Sequence, residues 1–154
     1  MIVSDSTTLI ILFDLNRIEL LSNLFPEIII PSAVYDEISV KKTIDLPAFI
    51  RVQTPSDNAI LKSLKQLLDL GESEAIALAL ELETKLIIDE KKGRKIAIRQ
   101  GLEIIGLLGI VYLNIKKRFI SEKEAKIFLE SALSHGYRIS QKLIDGMFEN
   151  LNFE

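Results

Sequence analysis

The sequence predicts an α/β fold, a doubly wound three-layer α/β/α sandwich with a central and mostly parallel sheet. Short, wholly apolar segments recur along the chain, as at Met1–Val3, Ile28–Ile30 and Leu86–Ile88. Strands without polar alternation are typical of a parallel sheet that is covered on both faces. Segments with helical spacing of apolar residues separate them, and such alternation is typical of doubly wound α/β proteins.

The length and composition predict one globular domain over residues 1–154, with 48% hydrophobic and 27% charged residues. We expect residues 1–115 to form the α/β core that carries the functional site and residues 116–154 to form C-terminal helices. The absence of cysteine and the single histidine exclude disulfides, thiolate nucleophiles and the usual zinc sites. The longest apolar run, Ile104–Leu113, is too short for a membrane span, so we expect a soluble, cytoplasmic protein.

In the first third of the chain, the opening strand leads into a helical segment from Thr7 to Phe25 that is broken near Asn16. Pro31 ends the second strand, and Ser32 is a plausible N-cap of the helix that follows. Residues 50–52 form a marginal edge strand.

The middle of the chain predicts a helix from Ser56 to Leu68 that ends at Leu70–Gly71, and a helix from Ser73 to Glu83 that Glu72 opens. The second of these is apolar nearly all round, which indicates a position at the centre of the fold. The remaining predicted elements are a strand over 85–89, a basic helix over 91–100 with Gly101 as its C-cap, a strand over 103–106, and helices near 107–118, 121–134 and 139–150.

Four acids are candidates for a common site. Asp5 and Asp89 end two strands and would share the edge where open α/β sheets place their ligands, and Glu37 and Glu72 lie near helix starts at that edge. Four converging carboxylates would repel one another unless a cation bound them, and Mg²⁺ or Mn²⁺ takes such oxygen ligands. The alternatives are that Asp5 caps the next helix and that Glu72 complements a helix dipole.

Charge is unevenly distributed. Residues 85–118 carry nine cations and three anions, a net charge of +6, whereas the rest of the chain carries −9. Within the basic stretch, Lys91, Lys92, Arg94 and Lys95 are candidates for steering an RNA backbone, and they could equally form a solvated helix face.

These motifs together resemble the PIN-domain nucleases, especially the VapC-type toxins of bacterial and archaeal toxin–antitoxin systems. The residues that carry the resemblance are Ile2-Val3-Ser4-Asp5-Ser6-Thr7, Ile30-Pro31-Ser32-Ala33-Val34-Tyr35-Asp36-Glu37-Ile38, Gly71-Glu72-Ser73-Glu74-Ala75-Ile76-Ala77, and Leu86-Ile87-Ile88-Asp89-Glu90. The chain is also similar to a largely uncharacterised subfamily of PIN proteins with the same Gly-Glu-x-Glu-Ala and Ile-Asp-Glu patterns and a helical C-terminus.

Two positions of the resemblance stay open. Glu72 and Glu74 compete for the third acid of the family, and they point in nearly opposite directions because they lie two residues apart on a helix. Alignment of the third motif favours Glu72 and then places Glu90 under the fourth acid, whereas the strand end favours Asp89.

The resemblance implies a Mg²⁺- or Mn²⁺-dependent ribonuclease, in which Asp5, Glu37, Glu72 and Asp89 hold one or two metals and a metal-activated water cuts RNA to a 5′-phosphate and a 3′-hydroxyl. Thr7 would hold a ligand or a metal-bound water. The family also implies a toxin role, a cognate antitoxin and a homodimer. The alternative is a catalytically weak or inactive PIN-like module that binds RNA or a protein.

Overall fold

The structure, a computed structural model, describes residues 1–40 and 43–152. Five parallel strands form one sheet in the order β3-β2-β1-β4-β5. The strands are β1 (Ile2–Ser4), β2 (Ile28–Ile30), β3 (Ile50–Val52), β4 (Leu86–Ile87) and β5 (Ile104–Ile105). The helices in the described residues are α1 (Ser6–Asp14), α2 (Glu19–Ser22), α3 (Ser32–Ile38), α4 (Ala59–Lys65), α5 (Leu70–Leu82), α6 (Lys91–Arg99), α7 (Leu107–Lys116), α8 (Glu122–Ser134) and α9 (Gln141–Asn152).

Strand β1 is the centre of the sheet. Val3 is the register partner of Ile29 on one side and of Leu86 on the other. The side chains of β1, β2 and β4 are all buried, which confirms the prediction of a parallel sheet covered on both faces. The predicted edge strand β3 lies at one end of the sheet and exposes Arg51 and Val52.

The helices confirm the predicted α/β/α sandwich. Helix α5 packs against α3, α4, β1 and β4, and its residues from Gly71 to Ala79 are all buried, as its apolar composition predicted. The predicted break near Asn16 is also present, since α1 ends at Asp14 and Asn16 has a φ of 57°. A glycine, Gly101 with a φ of 86°, directly follows the C-cap residue Gln100 of α6.

Several predicted helix boundaries are wrong. Leu70 and Gly71 do not end a helix but begin α5, because the Asp69 side chain accepts a hydrogen bond from the Glu72 backbone N–H at 2.8 Å and caps the new helix. Helix α4 is shorter than predicted and begins after Asn58, whose side chain caps it in the same way. Ser32 is the first residue of α3 rather than its N-cap, and Pro31 occupies the cap position without a side-chain hydrogen bond.

The C-terminal helices pack on the β5 side of the core. Helix α7 contacts α2, α8, α9 and β5. Buried Asn114 of α7 donates hydrogen bonds to the Leu20 and Ile110 carbonyls, both at 2.9 Å, and accepts one from Asn23. A capping box of Ser121 and Glu124 starts α8. Across the described part of the chain, no helix is long and apolar enough to cross a membrane.

Candidate metal centre

The parallel sheet brings the ends of β1 and β4 to one edge. Asp5 directly follows β1, and its backbone N–H donates to the Ile87 carbonyl of β4 at 2.9 Å. Asp5 occupies the N-cap position of α1 but makes no side-chain capping hydrogen bond. The alternative that Asp5 serves as an ordinary helix cap is therefore not supported by its contacts.

The Asp5 carboxyl is buried and incompletely paired. Its side chain is 3% exposed, and Oδ1 has no hydrogen-bond partner. Burial raises the pKa of Asp5 to about 7, the Ser6 backbone N–H opposes this rise, and the negative charges of Glu37, Asp69 and Glu90 add to it. In this environment a bound cation would stabilise the ionised form of the Asp5 carboxyl.

Glu37 of α3 is held near Asp5 by Ser6, the residue that follows Asp5. The Ser6 hydroxyl donates to Glu37 Oε2 at 2.6 Å. Desolvation raises the pKa of Glu37, the Ser6 hydrogen bond opposes this, and the charge of Asp69 raises it further. The other oxygen, Oε1, lies so close to Gly71 that a Cβ atom there would be 1.9 Å away, so a side chain at this position would displace the Glu37 carboxylate.

Glu72 in the first turn of α5 extends toward α6. Its Oε2 is buried without a hydrogen-bond partner and lies against Gly93, where a Cβ atom would be 2.4 Å away. Burial raises the pKa of Glu72, and the neighbouring carboxylates of Asp69, Asp5 and Glu90 raise it further. Glu72 therefore belongs to the same electrostatic group as Asp5.

Glu74 faces a different element. Its Oε1 accepts hydrogen bonds from the Ala33 backbone N–H at 3.2 Å and from the Ser32 hydroxyl at 3.4 Å, both at the start of α3. A carboxylate is stabilised there by the unpaired N–H groups and the helix dipole. Of the two competing glutamates, Glu72 lies with the acids around Asp5 and Glu74 anchors α5 to α3.

Asp89, which follows β4, accepts hydrogen bonds on its carboxylate from three other parts of the chain. Its carboxylate accepts hydrogen bonds from the Leu107 backbone N–H at 3.2 Å, from the Thr8 hydroxyl and from the Tyr137 hydroxyl at 3.3 Å. Burial, together with the charge of Asp89, raises the pKa of Tyr137. The charge of Asp89 is not among the causes that raise the pKa values of Asp5 and Glu72, whereas that of Glu90 is.

Asp69 is the acid that sequence reasoning missed. Its charge raises the pKa values of Asp5, Glu37 and Glu72, although its own backbone position is the N-cap of α5. The order Asp69-Leu70-Gly71-Glu72 is an N-terminal capping signal, and it could have placed the helix start at Leu70.

Thr7 lies between two hydroxyl residues that make the contacts expected of it. Ser6 bonds Glu37 and Thr8 bonds Asp89, whereas half-buried Thr7 has no side-chain hydrogen bond within the described ranges. The hydroxyls of Ser6 and Thr8 thus bond two different acids of this edge.

The four basic residues of α6 that were predicted to attract RNA divide into two sets. Lys91, Lys92 and Lys95 are exposed and form no ion pair in the part of the chain that the structure describes. Arg94 is half-buried, and its Nη1 donates to the Ile88 carbonyl at 2.8 Å. Of these four residues, the three lysines expose their charge to solvent.

The acids fit a hard divalent cation in their chemistry but not as a finished site. All donors are carboxylate oxygens, the type that Mg²⁺ and Mn²⁺ prefer, and two of the oxygens are buried without partners. Within residues 1–40 and 43–152, however, no three Asp, Glu, His or Cys side chains are grouped closely enough to hold a metal ion. To bind a metal, these side chains would therefore have to move closer to one another.

Comparison with known proteins agrees with this architecture. The model of a protein family described as a PIN domain matches residues 1–152. No curated protein matches the chain. PIN domains are typically nucleases and generally use divalent metal ions. Because the match covers nearly the whole chain, the protein belongs to the PIN-domain family.

Proposed function

We propose that this member of the PIN-domain family is a ribonuclease that depends on Mg²⁺ or Mn²⁺ and hydrolyses phosphodiester bonds of cytoplasmic RNA. One observation carries the proposal: Asp5 Oδ1 and Glu72 Oε2 are buried without hydrogen-bond partners, and the charges of Asp69 and Glu90 add to the rise that burial causes in the pKa of both residues. Native proteins rarely leave buried polar atoms unpaired, and a bound cation is one way of satisfying them.

The residues that would hold the metal are Asp5, Glu37 and Glu72, with Asp89 or Glu90 as the fourth acid. Glu90 is the better candidate, because its charge raises the pKa of both Asp5 and Glu72. The Asp89 carboxylate already accepts hydrogen bonds from three donors. When bound, a divalent cation activates water and neutralises the charge that develops on the phosphate. Glu74, which bonds the start of α3, would support α5 and not the metal.

The protein's own groups prepare the site in two ways. Burial and mutual repulsion keep Asp5 and Glu72 partly protonated at neutral pH, so metal binding should release protons. The Ser6 hydroxyl fixes Glu37 Oε2 and leaves Oε1 directed at the start of α5. Lys91, Lys92 and Lys95 would attract the RNA backbone, and Thr7 is half-buried at the same edge.

The direct test is RNA cleavage by the purified protein with Mg²⁺, with Mn²⁺ and with a chelator. We expect cleavage that requires the cation and that falls at least about 100-fold in Asp5→Asn, since even residues that only support metal ligands typically account for 10–100-fold. Asp36→Asn is the matched control, because Asp36 is an exposed acid on α3. Equal cleavage by Asp5→Asn and the wild-type protein would disprove the assignment.

A second candidate function is a PIN-like module that binds RNA or a protein without cutting. The absence of a preformed three-residue ligand group among the described residues favours it. A wild-type protein that binds RNA but cleaves none with either cation, and whose melting temperature does not respond to Mn²⁺, would support this alternative.

The toxin role, a cognate antitoxin and a homodimer complete the proposal, and they rest on the resemblance to VapC-type proteins. Induced expression should arrest growth, and Asp5→Asn should relieve the arrest. Light scattering of the purified protein should give twice the mass of the 17.4 kDa chain. Growth without arrest would remove the toxin role and its antitoxin from the proposal, and a monomeric mass would remove the homodimer.

A further inference from the structure

We propose that helix α6 carries a row of three cations that hold consecutive phosphates of single-stranded RNA and lead the strand away from the candidate metal centre, an inference that rests on the proposed function. This cationic row consists of Lys91, Lys95 and Arg99, which are all exposed. Their side chains make no hydrogen bond or ion pair with any other residue that the structure describes. Their charges are therefore available to a ligand.

The cationic row begins at the candidate metal centre. Glu90, the residue before Lys91, is the N-cap of α6, and its charge raises the pKa values of Asp5 and Glu72. Gly93 in the first turn of α6 lies against Glu72, since a Cβ atom there would be 2.4 Å from Glu72 Oε2. A phosphate bound by Lys91 would therefore lie close to the acids that we propose as metal ligands.

Helix α6 then leads away from these acids. It connects β4 to the parallel neighbouring strand β5, so it runs from the carboxyl edge of the sheet back to the amino edge. At that far edge Lys85 is paired with Glu103 at 3.3 Å, and exposed Glu83 lines the same cavity as both of them. The acids at this edge would repel a strand that continued beyond Arg99, so the cationic row has a defined end.

The spacing of the cationic row suits one strand of RNA. Lys91, Lys95 and Arg99 are four residues apart, so they are neighbours on the helix surface and rise about 6 Å from one to the next. This rise is comparable to the separation of successive phosphates along an extended strand. A flexible single strand could also bend from the row toward Asp5, which is only 3% exposed, whereas a stiff duplex could not follow this path.

The composition of this helix face favours RNA over an acidic protein segment. Protein interfaces have apolar residues at their centre and are depleted of lysine. Ile98 is the exposed large apolar side chain of α6, and it lies among the exposed cations Lys91, Lys92, Lys95 and Arg99. Contacts to phosphates, in contrast, are typically made by Lys and Arg and require no apolar surface.

The test is RNA binding in the presence of a chelator, which separates recognition from cleavage. Fluorescence anisotropy with a labelled decauridylate is measured at several salt concentrations for the wild-type protein and the triple variant Lys91→Ala/Lys95→Ala/Arg99→Ala. We expect the triple variant to bind about tenfold more weakly and its salt slope to be lower by about 2, since each contact to a single strand contributes about 0.7.

Two further variants separate the cationic row from a general effect of charge. The matched control Lys62→Ala/Lys65→Ala/Lys123→Ala removes three positive charges from exposed lysines of α4 and α8, and it should leave the salt slope unchanged. Arg99→Ala alone should lower the slope by about 0.7, although Arg99 is the member of the row farthest along α6 from the acids.

Each outcome decides between the proposals. An unchanged slope in the triple variant overturns the cationic row, even if the wild-type protein cleaves RNA. A slope that falls as expected, in a protein that cleaves no RNA with either cation, sustains the row and overturns the ribonuclease. An equal loss of slope with an RNA duplex of the same length overturns the assignment to single strands. Tighter binding of poly-L-glutamate than of the decauridylate overturns RNA as the occupant.

Discussion

Asp5 and Asp89 follow neighbouring parallel strands at the same edge of the sheet, yet their surroundings are opposite. Asp5 is almost fully buried, has an oxygen without a hydrogen bond and is surrounded by other acids. Asp89 accepts hydrogen bonds from Leu107, Thr8 and Tyr137. The sequence patterns around the two residues are nearly the same, an apolar strand that ends in an acid.

An acid at the end of a strand can therefore stabilise the fold or bind a ligand. Its hydrogen bonds show which of these roles it has. Asp89 links the first helix, the start of α7 and the loop before α9, so its negative charge is already compensated. Asp5 lacks this compensation, and its burial is a free-energy cost that only a cation or a proton can relieve.

The largest expected change in stability comes from removing the Asp89 carboxylate. Asp89→Ala leaves the Leu107 N–H and the Tyr137 hydroxyl without their acceptor, so we expect the free energy of unfolding to fall by about 2–4 kcal/mol. Asp5→Asn should not lower it, because it removes a buried charge. Urea denaturation in the presence of a chelator measures both variants.

Asp36→Ala is the control for loss of an acid and should stay within about 0.5 kcal/mol of the wild-type protein. The comparison between the two aspartates fails if Asp5→Asn destabilises the protein as much as Asp89→Ala does.

The pH dependence of stability tests whether the Asp5 carboxyl is uncompensated in the folded protein. The pKa of Asp5 rises from 3.8 to about 7 on folding, so between these values the native state holds a proton that the unfolded state has released. Stability should therefore increase as pH falls from about 8 to about 5. Without metal, the wild-type protein should gain about 2 kcal/mol relative to Asp5→Asn over this range. This is somewhat less than the ~2.7 kcal/mol that the two pH units between a pKa of about 7 and pH 5 allow, because the buried site relaxes.

Urea denaturation at several pH values measures this difference. A difference between the two proteins that stays constant with pH would mean that Asp5 is already ionised and compensated in the native state.

A smaller effect is expected at Gly93, which lies against Glu72. An alanine Cβ would come within 2.4 Å of Glu72 Oε2 and 2.7 Å of Ile88 Cδ1, so both side chains must move. We expect Gly93→Ala to weaken Mn²⁺ binding about tenfold, as displacement of a supported ligand does. Isothermal titration calorimetry gives the affinity.

Gly146→Ala is the matched helix-glycine control, since a Cβ atom at Gly146 meets nothing within 4 Å. It should leave Mn²⁺ binding unchanged and stabilise α9 by up to about 1 kcal/mol. Unaltered Mn²⁺ affinity in Gly93→Ala would argue against Glu72 as a ligand.

The smallest effect is expected on the basic side of the edge. Lys91 and Lys92 are exposed in the first turn of α6, where the helix dipole does not favour cations. Each substitution by alanine should weaken binding of single-stranded RNA about two- to threefold and lower the salt slope by about 0.7. Lys65→Ala, an exposed lysine on α4, should change neither quantity.

Much of the fold could be predicted because apolar strands and helical spacing are local signals. Four of the five strands lie where short apolar runs predicted them, and the fifth is the predicted edge strand at residues 50–52. Helix α5 is buried from Gly71 to Ala79, as its apolar composition indicated. The start of α5 was missed because Gly71 resembles a helix stop, whereas the deciding contact is the Asp69 cap.

The candidate site was predictable only in part, because pairing between distant residues decides the role of each acid. Nothing local to Asp89 indicates that Tyr137, 48 residues later, donates to it. Glu74 likewise depends on the start of α3, 41 residues earlier. Sequence identifies the acids that reach this edge, and tertiary hydrogen bonds determine which of them remain available.

The central position of β1 also governs when these acids can meet during synthesis. Val3 pairs with Leu86, 83 residues later, so β1 waits roughly 4–17 s for its partner at ordinary rates of translation. The acids around Asp5 can therefore come together only after residues 86–90 have been synthesised. Asp89 gains its hydrogen bond from Tyr137 only after a further 48 residues have been made.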